Sequence, residues 1–220
     1  LKDIPSVQKS LKSFHATDIH PNELAHYSKK TIDFEFDYPF GRKELWGLAY
    51  RTDFDLSQHE KLSGIPLSYN DEGEKPFTPH VIEPSLGVDR TLLAILLSSY
   101  REDEFGGEKR TYLALPSHLA PVKAAVFPLL KNKPDLVAKA REVYATLKKE
   151  IPEVMFDDNG NIGKRYRRQD EIGTPFCITI DFETLENGSV TIRDRDSGKQ
   201  DRATISDAIA RTTEASKLPA

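Results

Sequence analysis

At 220 residues the chain has room for one large or two small domains, and its 38% hydrophobic and 30% charged content fits a soluble, fairly polar globular protein. A net charge of −4 excludes an overall basic coat, so any nucleic-acid contact has to come from a local patch. The longest apolar run, residues 92–97, is too short to span a membrane, no secretory signal opens the chain, and the single Cys177 excludes an internal disulfide. A cytoplasmic location without membrane attachment is expected.

The chain opens on Leu1 rather than Met and reads like the interior of something longer, with a polar stretch around Pro5. Pro21 and Glu23 suit the first turn of a helix carrying Leu24, Tyr27, Thr31 and Phe34 on one face. Residues 32–38 alternate equally well as a strand, and Pro39-Phe40-Gly41 ends either element. Residues 44–56 alternate as a strand rich in β-favouring Trp46, Tyr50 and Phe54. Residues 57–76 read as a polar loop leading into a hairpin whose second strand, residues 77–83, runs into a turn at 84–87. An apolar helix is predicted from Asp89 to Tyr100.

That strand–turn–helix junction is the first candidate site. Gly87 permits a backbone that a side chain would block. The helix behind it directs free N–H groups and a positive dipole end at whatever lies above. Arg90 adds a guanidinium suited to phosphate oxygens, and Glu83 supplies an anion on the other lip. Together they suit a ligand with an ammonium and a polyphosphate, as amino acid plus ATP provides. A surface ion pair between Glu83 and Arg90 is the plainer alternative.

Residues 101–110, charged around Gly106-Gly107, read as an interdomain linker. Strands are then expected at 111–115 and 124–130, a helix at 135–150 with Leu136, Ala140, Val143 and Leu147 on one stripe, and a strand at 154–156. A turn at 157–160 leads to a helix at 162–172 dense in Lys164, Arg165, Arg167 and Arg168. A strand at 176–182, a hairpin turn at Asn187-Gly188, strands at 190–196 and 202–205, a helix capped by Ser206 and Asp207, and a tail over 213–220 complete the chain. This order implies a mixed α/β sheet with helices packed on it.

The basic cluster at 164–168 suits an RNA backbone, and Arg193 and Arg195, on one side of their strand by the period of two, suit backbone or base-edge contacts. The competing reading is a solvated face neutralised by Asp170 and Glu171. The six His residues show no paired metal spacing, Cys177 reads as a small core residue, and Ser85 lacks a His–Asp partner signature. No phosphate loop or dinucleotide fingerprint is present.

Four literal strings add a resemblance. Glu83-Pro-Ser-Leu-Gly-Val-Asp-Arg90 before an apolar helix resembles motif 3 of class II aminoacyl-tRNA synthetases, in its glycyl form. The segment ELWGLAYRTDFDL (44–56) resembles the preceding strand of the same family, with Trp46 where bacterial relatives commonly carry an acidic residue. NIGKRYRRQDEIGTPF (161–176) resembles the anticodon-binding domain shared by glycyl, histidyl, prolyl and threonyl synthetases, and VTIRDRD (190–196) matches the glycyl version.

The resemblance implies the end of an antiparallel-sheet catalytic domain over residues 1–105 and a mixed-sheet α/β anticodon-binding domain over 111–212. It implies ATP-dependent activation of glycine and its transfer to glycine tRNA (tRNA-Gly), with Glu83 and Arg90 as catalytic residues and a homodimeric full-length parent. The glycine pocket would be Glu83, Pro84, Ser85, Leu86 and Gly87. ATP would meet Glu44, Leu45, Gly87, Val88, Asp89 and Arg90, with Glu44 near Mg²⁺ through the phosphates. The tRNA would meet Lys164, Arg165, Arg167, Arg168, Arg193 and Arg195. Motifs 1 and 2 find no counterpart. A noncatalytic anticodon-binding fragment or paralogue, and a synthetase of different specificity, are the other readings; the Glu-Pro-Ser string argues against the last. Loss of one donor to a reacting group costs about 10²–10³ in rate. The purified chain, lacking motif 2, is therefore expected to show no glycine-dependent pyrophosphate exchange, and robust exchange would overturn that.

Overall fold

A computed structural model describes residues 13–218, so the stretch around Pro5 lies outside the described residues. Contacts divide the chain into two units, with the boundary between Ser98 and Ser99.

The first unit is a four-stranded antiparallel sheet, in order β1 (Phe14–Asp18), β2 (Lys30–Tyr38), β3 (Gly41–Thr52) and β4 (Val81–Leu86). In β2 the alternation of Ile32, Phe34, Phe36 and Tyr38 with Thr31, Asp33, Glu35 and Asp37 gives one apolar and one polar face. Phe34 stacks between Phe14 and Trp46, at 5.7 and 4.6 Å between ring centroids. On that apolar side Phe36, Tyr38 and Leu45 pack against Leu93, Ala94 and Leu97 of helix α2 (Val88–Ser99).

The strand reading of residues 32–38 therefore wins over the helix, because both neighbouring strands pair with it. Pro21–Glu23 forms only a 3₁₀ turn. The third strand stops at Thr52, and Phe54–Ser63 is helix α1, not the end of a strand and the start of a loop. Asp55 in its first turn and Gly64 at its left-handed end explain the change of element. Residues 84–86 belong to β4 rather than to a turn.

β3 carries two extra residues. Trp46 faces Phe34 while Glu44 faces Glu35, which leaves Leu45 between them; Tyr50 faces Ile82 while Thr52 faces Val81, which leaves Arg51. Such bulges re-aim side chains without breaking the sheet.

The second unit begins with a hairpin, β5 (Tyr100–Phe105) and β6 (Glu108–Leu113), turning at Gly106-Gly107. The linker reading of 101–110 is thus corrected: it forms paired strands in which Asp103 faces Arg110 and Glu104 faces Lys109. A five-stranded mixed sheet follows, in order β11 (Gln200–Thr204), β10 (Ser189–Asp194), β9 (Phe176–Ile180), β7 (Ala124–Pro128) and β8 (Val154–Phe156). β7 runs parallel to β8 and β9, while β10 is antiparallel to β9 and β11.

One face of this sheet, through Val126, Ile178, Ile180, Val190 and Ile192, takes the apolar stripe of α3 (Pro134–Glu150) and Ala208 of α6 (Ile205–Ser216). The other face presents Ala125, Phe127 and Cys177 to Ile162 and Tyr166 of α4 (Ile162–Ile172). Burial pushes the Cys177 thiol well above its usual range, so it is an inert core residue. Asn187-Gly188 is not a hairpin turn but the end of a short helix, α5 (Phe182–Asn187), with a reciprocal cap between Asp181 and Thr184. Thr204, rather than Ser206, caps α6, and that helix runs to Ser216 through the expected tail.

The face under α4 is polar at one end. Arg193 makes a two-pronged bond to Asp170, at 2.7 and 3.0 Å, and lies 4.9 Å from the Tyr166 ring. Asp170→Asn is expected to destabilise the second unit by about 3–5 kcal/mol, because it leaves a buried guanidinium without its counter-charge. Arg211→Ala, removing a surface pair to Asp201 at 3.7 Å, is expected to cost less than about 1 kcal/mol. Urea denaturation followed by circular dichroism distinguishes the two, and equal midpoints would overturn the assignment.

Candidate functional site

The polar face of the first sheet gathers acidic side chains. The cross-strand pairs Asp33–Gly47, Gly47–Ser85 and Ala49–Glu83 place Asp33, Ser85 and Glu83 on the same side. The bulge at Leu45 brings Glu44 to that side as well. A methyl group built on Gly47 would lie 3.2 Å from Glu44 Oε1, 3.3 Å from Ser85 Oγ and 3.8 Å from Asp33 Oδ1. The missing side chain of Gly47 therefore leaves a small space where two carboxylates and a hydroxyl converge. Burial, reinforced by the neighbouring Glu35, raises the pKa of Asp33.

This space belongs to a depression lined by Tyr27, Asp33, Glu44, Gly47, Glu83 and Ser85 among others. An adjoining depression is lined by Glu44, Leu45 and residues 85–90, at the start of α2. Glu44 and Ser85 line both. The sequence-predicted residues Glu44, Leu45, Ser85, Leu86, Gly87, Val88, Asp89 and Arg90 are thus gathered in one place. Glu83 and Pro84 sit in β4 on opposite faces, Pro84 opposite Leu48 and away from the acidic side.

Arg90 donates through Nη1 to the backbone carbonyl of Glu44 at 2.6 Å, and Tyr38 donates to the Arg90 carbonyl at 3.2 Å. The first turn of α2 is thereby tied to β2 and β3. Gly87 does not adopt a left-handed backbone, and the three atoms nearest a Cβ there, all on the Arg90 side chain, would lie at ordinary contact distances of 3.5–3.7 Å. The expectation that a side chain would be blocked at Gly87 is corrected; the closely hemmed glycine is Gly47. Nor do Glu83 and Arg90 pair with each other. Glu83 Oε2 instead accepts from Arg51 Nη1 at 2.6 Å, and Arg51 grips Asp55 with its other two nitrogens.

Three residues escaped the sequence reading as site residues: Asp33, Gly47 and Arg51. Gly47 and Arg51 lie inside the 44–56 string, and the alternation of β2 puts Asp33 on its polar face. Only the paired register of β2, β3 and β4 discloses that Asp33 and Ser85 flank Gly47 and that Arg51 reaches Glu83.

Among the described residues no group of three or more His, Cys, Asp or Glu side chains could hold a metal ion. One carboxylate such as Glu44 fits a Mg²⁺ carried mainly by nucleotide phosphates, which uses one or two protein carboxylates.

The predicted RNA-binding cations divide sharply. Lys164 is exposed, and Arg167 and Arg168 are partly exposed, beside Glu108 at 3.2 Å and Asp157 at 2.5 Å. Arg165, Arg193 and Arg195 are only 1%, 3% and 3% exposed. Arg165 donates to the carbonyls of Pro128, Asp158, Asn159 and Gly160. Arg195 donates to the carbonyls of Gly173 and Leu115 and to the Asp196 carboxylate. These three guanidinium groups are enclosed and bonded to internal carbonyls and carboxylates, so their assignment to RNA is corrected: they hold the unit together. The expected strand over 190–196 ends at Asp194, so Arg195 lies in the turn after β10, and both side chains are covered.

Comparison with known proteins gives two findings. Residues 123–214 match the family described as anticodon binding domain. A glycine–tRNA ligase of Lachnospira eligens is 55% identical over 197 residues, covering 89% of this chain and 42% of the relative. Those of Thermobifida fusca and Clostridium beijerinckii are 56% and 54% identical over 84% of this chain, covering 42% and 40% of their own lengths. The chain thus spans about two-fifths of these curated relatives. The resemblance drawn from the strings is borne out, as is the mixed α/β fold with an anticodon-binding domain.

Proposed function

From a chain that carries an anticodon-binding domain and resembles glycine–tRNA ligases over most of its length, we propose part of a glycine-activating, tRNA-charging enzyme. In this reading the first unit supplies the motif 3 side of the catalytic site, and the second unit binds the anticodon region of glycine tRNA. The observation that carries it is the convergence of Glu44, Ser85 and Asp33 on the bare Cα of Gly47, with Glu83 on the same face.

An acidic recess whose floor at Gly47 has no room for a further methyl group suits the smallest amino acid. Glu83 and Glu44 attract its ammonium, Ser85 offers a hydrogen bond, and exclusion of larger substrates is steric. The carboxylate oxygen of glycine attacks the α-phosphorus of ATP and pyrophosphate leaves, giving glycyl adenylate. The tRNA 3′-terminal hydroxyl then attacks the glycyl carbonyl and AMP leaves. Arg90, at the positive end of α2, faces the phosphates, and only one of its five N–H donors is used on Glu44. Glu44 would hold a Mg²⁺ brought in on the phosphates of ATP, which would offset their charge.

A single methylene in a fitted pocket is worth about 10–200-fold in selectivity. Glycine is expected to shift the backbone NMR signals of Gly47 and Ser85 in the 220-residue chain, L-alanine is not, and Gly47→Ala should weaken glycine by at least about tenfold. Equal response to both amino acids, or no loss in the variant, would overturn the glycine assignment.

For RNA, the accessible cations of α4 are the candidates. Binding of the glycine-tRNA anticodon stem-loop should weaken with salt by about 0.7 log units per log salt for each phosphate contact. Lys164→Ala should flatten that slope in titrations at two salt concentrations. A slope unchanged by the substitution, or binding independent of salt, would remove Lys164 from the interface. Tight stem-loop binding without any glycine response would instead favour a noncatalytic anticodon-binding protein.

A further inference from the structure

Arg51 is the extra residue of the second bulge in β3, and it emerges on the acidic face beside Glu83. Its guanidinium is engaged on every side. Nε and Nη2 contact the two oxygens of Asp55 at 2.6 and 2.7 Å, Nη1 donates to Glu83 Oε2 at 2.6 Å, and Cζ lies 4.0 Å from the centroid of the Tyr27 ring. The backbone beside it is strained: Thr52, at φ 55°, holds a left-handed conformation that β-branched residues avoid, and it is the single non-glycine residue with positive φ among those described. An ordinary surface ion pair would need neither a bulge nor this strain.

We propose that Arg51 is a positioning residue of the ammonium site, acting through Glu83 rather than by touching the ligand. The inference rests on the reading above, in which Glu83 receives the glycine ammonium. Held at Oε2, Glu83 keeps Oε1 for the incoming cation and loses rotamer freedom before it arrives.

The second carboxylate is what makes a cation tolerable here. A lone guanidinium next to an ammonium site would cancel Glu83 and repel the ligand. Asp55 takes two of the three contacts in a fork, and the Arg51 bonds keep it ionised, with its pKa below the usual carboxylate range. The Arg51–Asp55 pair is therefore close to neutral, and the charge of Glu83 remains available. Tyr27 keeps the guanidinium plane in place.

The test is a double-substitution cycle on the 220-residue chain, with glycine alone as the probe and the NMR signals of Gly47 and Ser85 as the readout. Arg51→Gln should weaken glycine by about tenfold, within the range found for directly coupled neighbours. In a Glu83→Gln background the same change should have little further effect. Arg51→Lys, which keeps the charge but not the fork, should fold and fall between wild type and Arg51→Gln. Asp55→Asn should also weaken glycine, since it leaves the Arg51 charge unbalanced beside the site.

Unchanged glycine affinity in Arg51→Gln and Arg51→Lys would overturn the inference while the glycine reading stands. So would an equal loss in both Glu83 backgrounds, because Arg51 would then act independently of Glu83. Lowered thermal stability without any change in glycine affinity would reduce Arg51 to an anchor for α1. Absence of a glycine response in the wild-type chain would overturn the functional reading itself, and the inference with it.

Discussion

A guanidinium enters a protein interior only if its hydrogen-bond donors find acceptors on the way in, and the second unit is arranged around that requirement. Asp170 sits between Arg193, at 2.7 Å, and Arg110, at 3.5 Å. Arg110 continues to Asp103 on the hairpin and to the carbonyl of Arg195, which in turn holds the carbonyls of Gly173 and Leu115. Hairpin, helix α4 and the end of β10 are thus joined by one chain of charge-assisted bonds. Burial works against the Arg193 charge, yet its bonds to Asp170 raise its pKa overall, so the cation is secured.

Close approach enforces the same arrangement sterically. A Cβ at Gly173, where φ is 83°, would come within 2.8 Å of the Leu115 side chain and 3.1 Å of the Leu113 carbonyl. Glycine there both ends α4 in the left-handed region and lets the connection after β6 pass against it. The opposite face of the sheet needs no such devices, because apolar residues cover it: Leu136, Ala140, Val143 and Leu147 of α3 and Ala208 of α6. One face is held by dispersion and apolar burial, the other by directed bonds.

The first unit uses register for a comparable purpose. A regular β3 would send Glu44 to the apolar side, and the bulge at Leu45 returns it to the face of Asp33 and Ser85. The same bulge lets Leu45 join Phe36 and Tyr38 beneath α2. Two demands, an apolar seat for a helix and an acidic recess, are met by adjacent residues of one strand. On that face the charge of Glu35 works against the ionisation of Asp33, whose carboxyl is raised by burial first and by this neighbour second.

Much of this was legible in the residue order alone. The period of two in residues 32–38 and 176–180, and the stripe of residues 136–147, follow from local sterics and from burying one face, and both act within a few residues. The strings at 44–56, 83–90, 161–176 and 190–196 carried the resemblance for a different reason, since they match literally, residue by residue. What tertiary structure alone decided was which side of each element is covered. Arg165, Arg193 and Arg195 have the composition of an RNA-binding surface, and only the packing of α4 and the hairpin makes them internal struts, because burial depends on partners up to 85 residues away. Likewise no local pattern announces a bulge, so the meeting of Gly47, Asp33, Glu44 and Ser85, and the clamp of Arg51 on Glu83 across 32 residues, exist only once β2, β3 and β4 are paired.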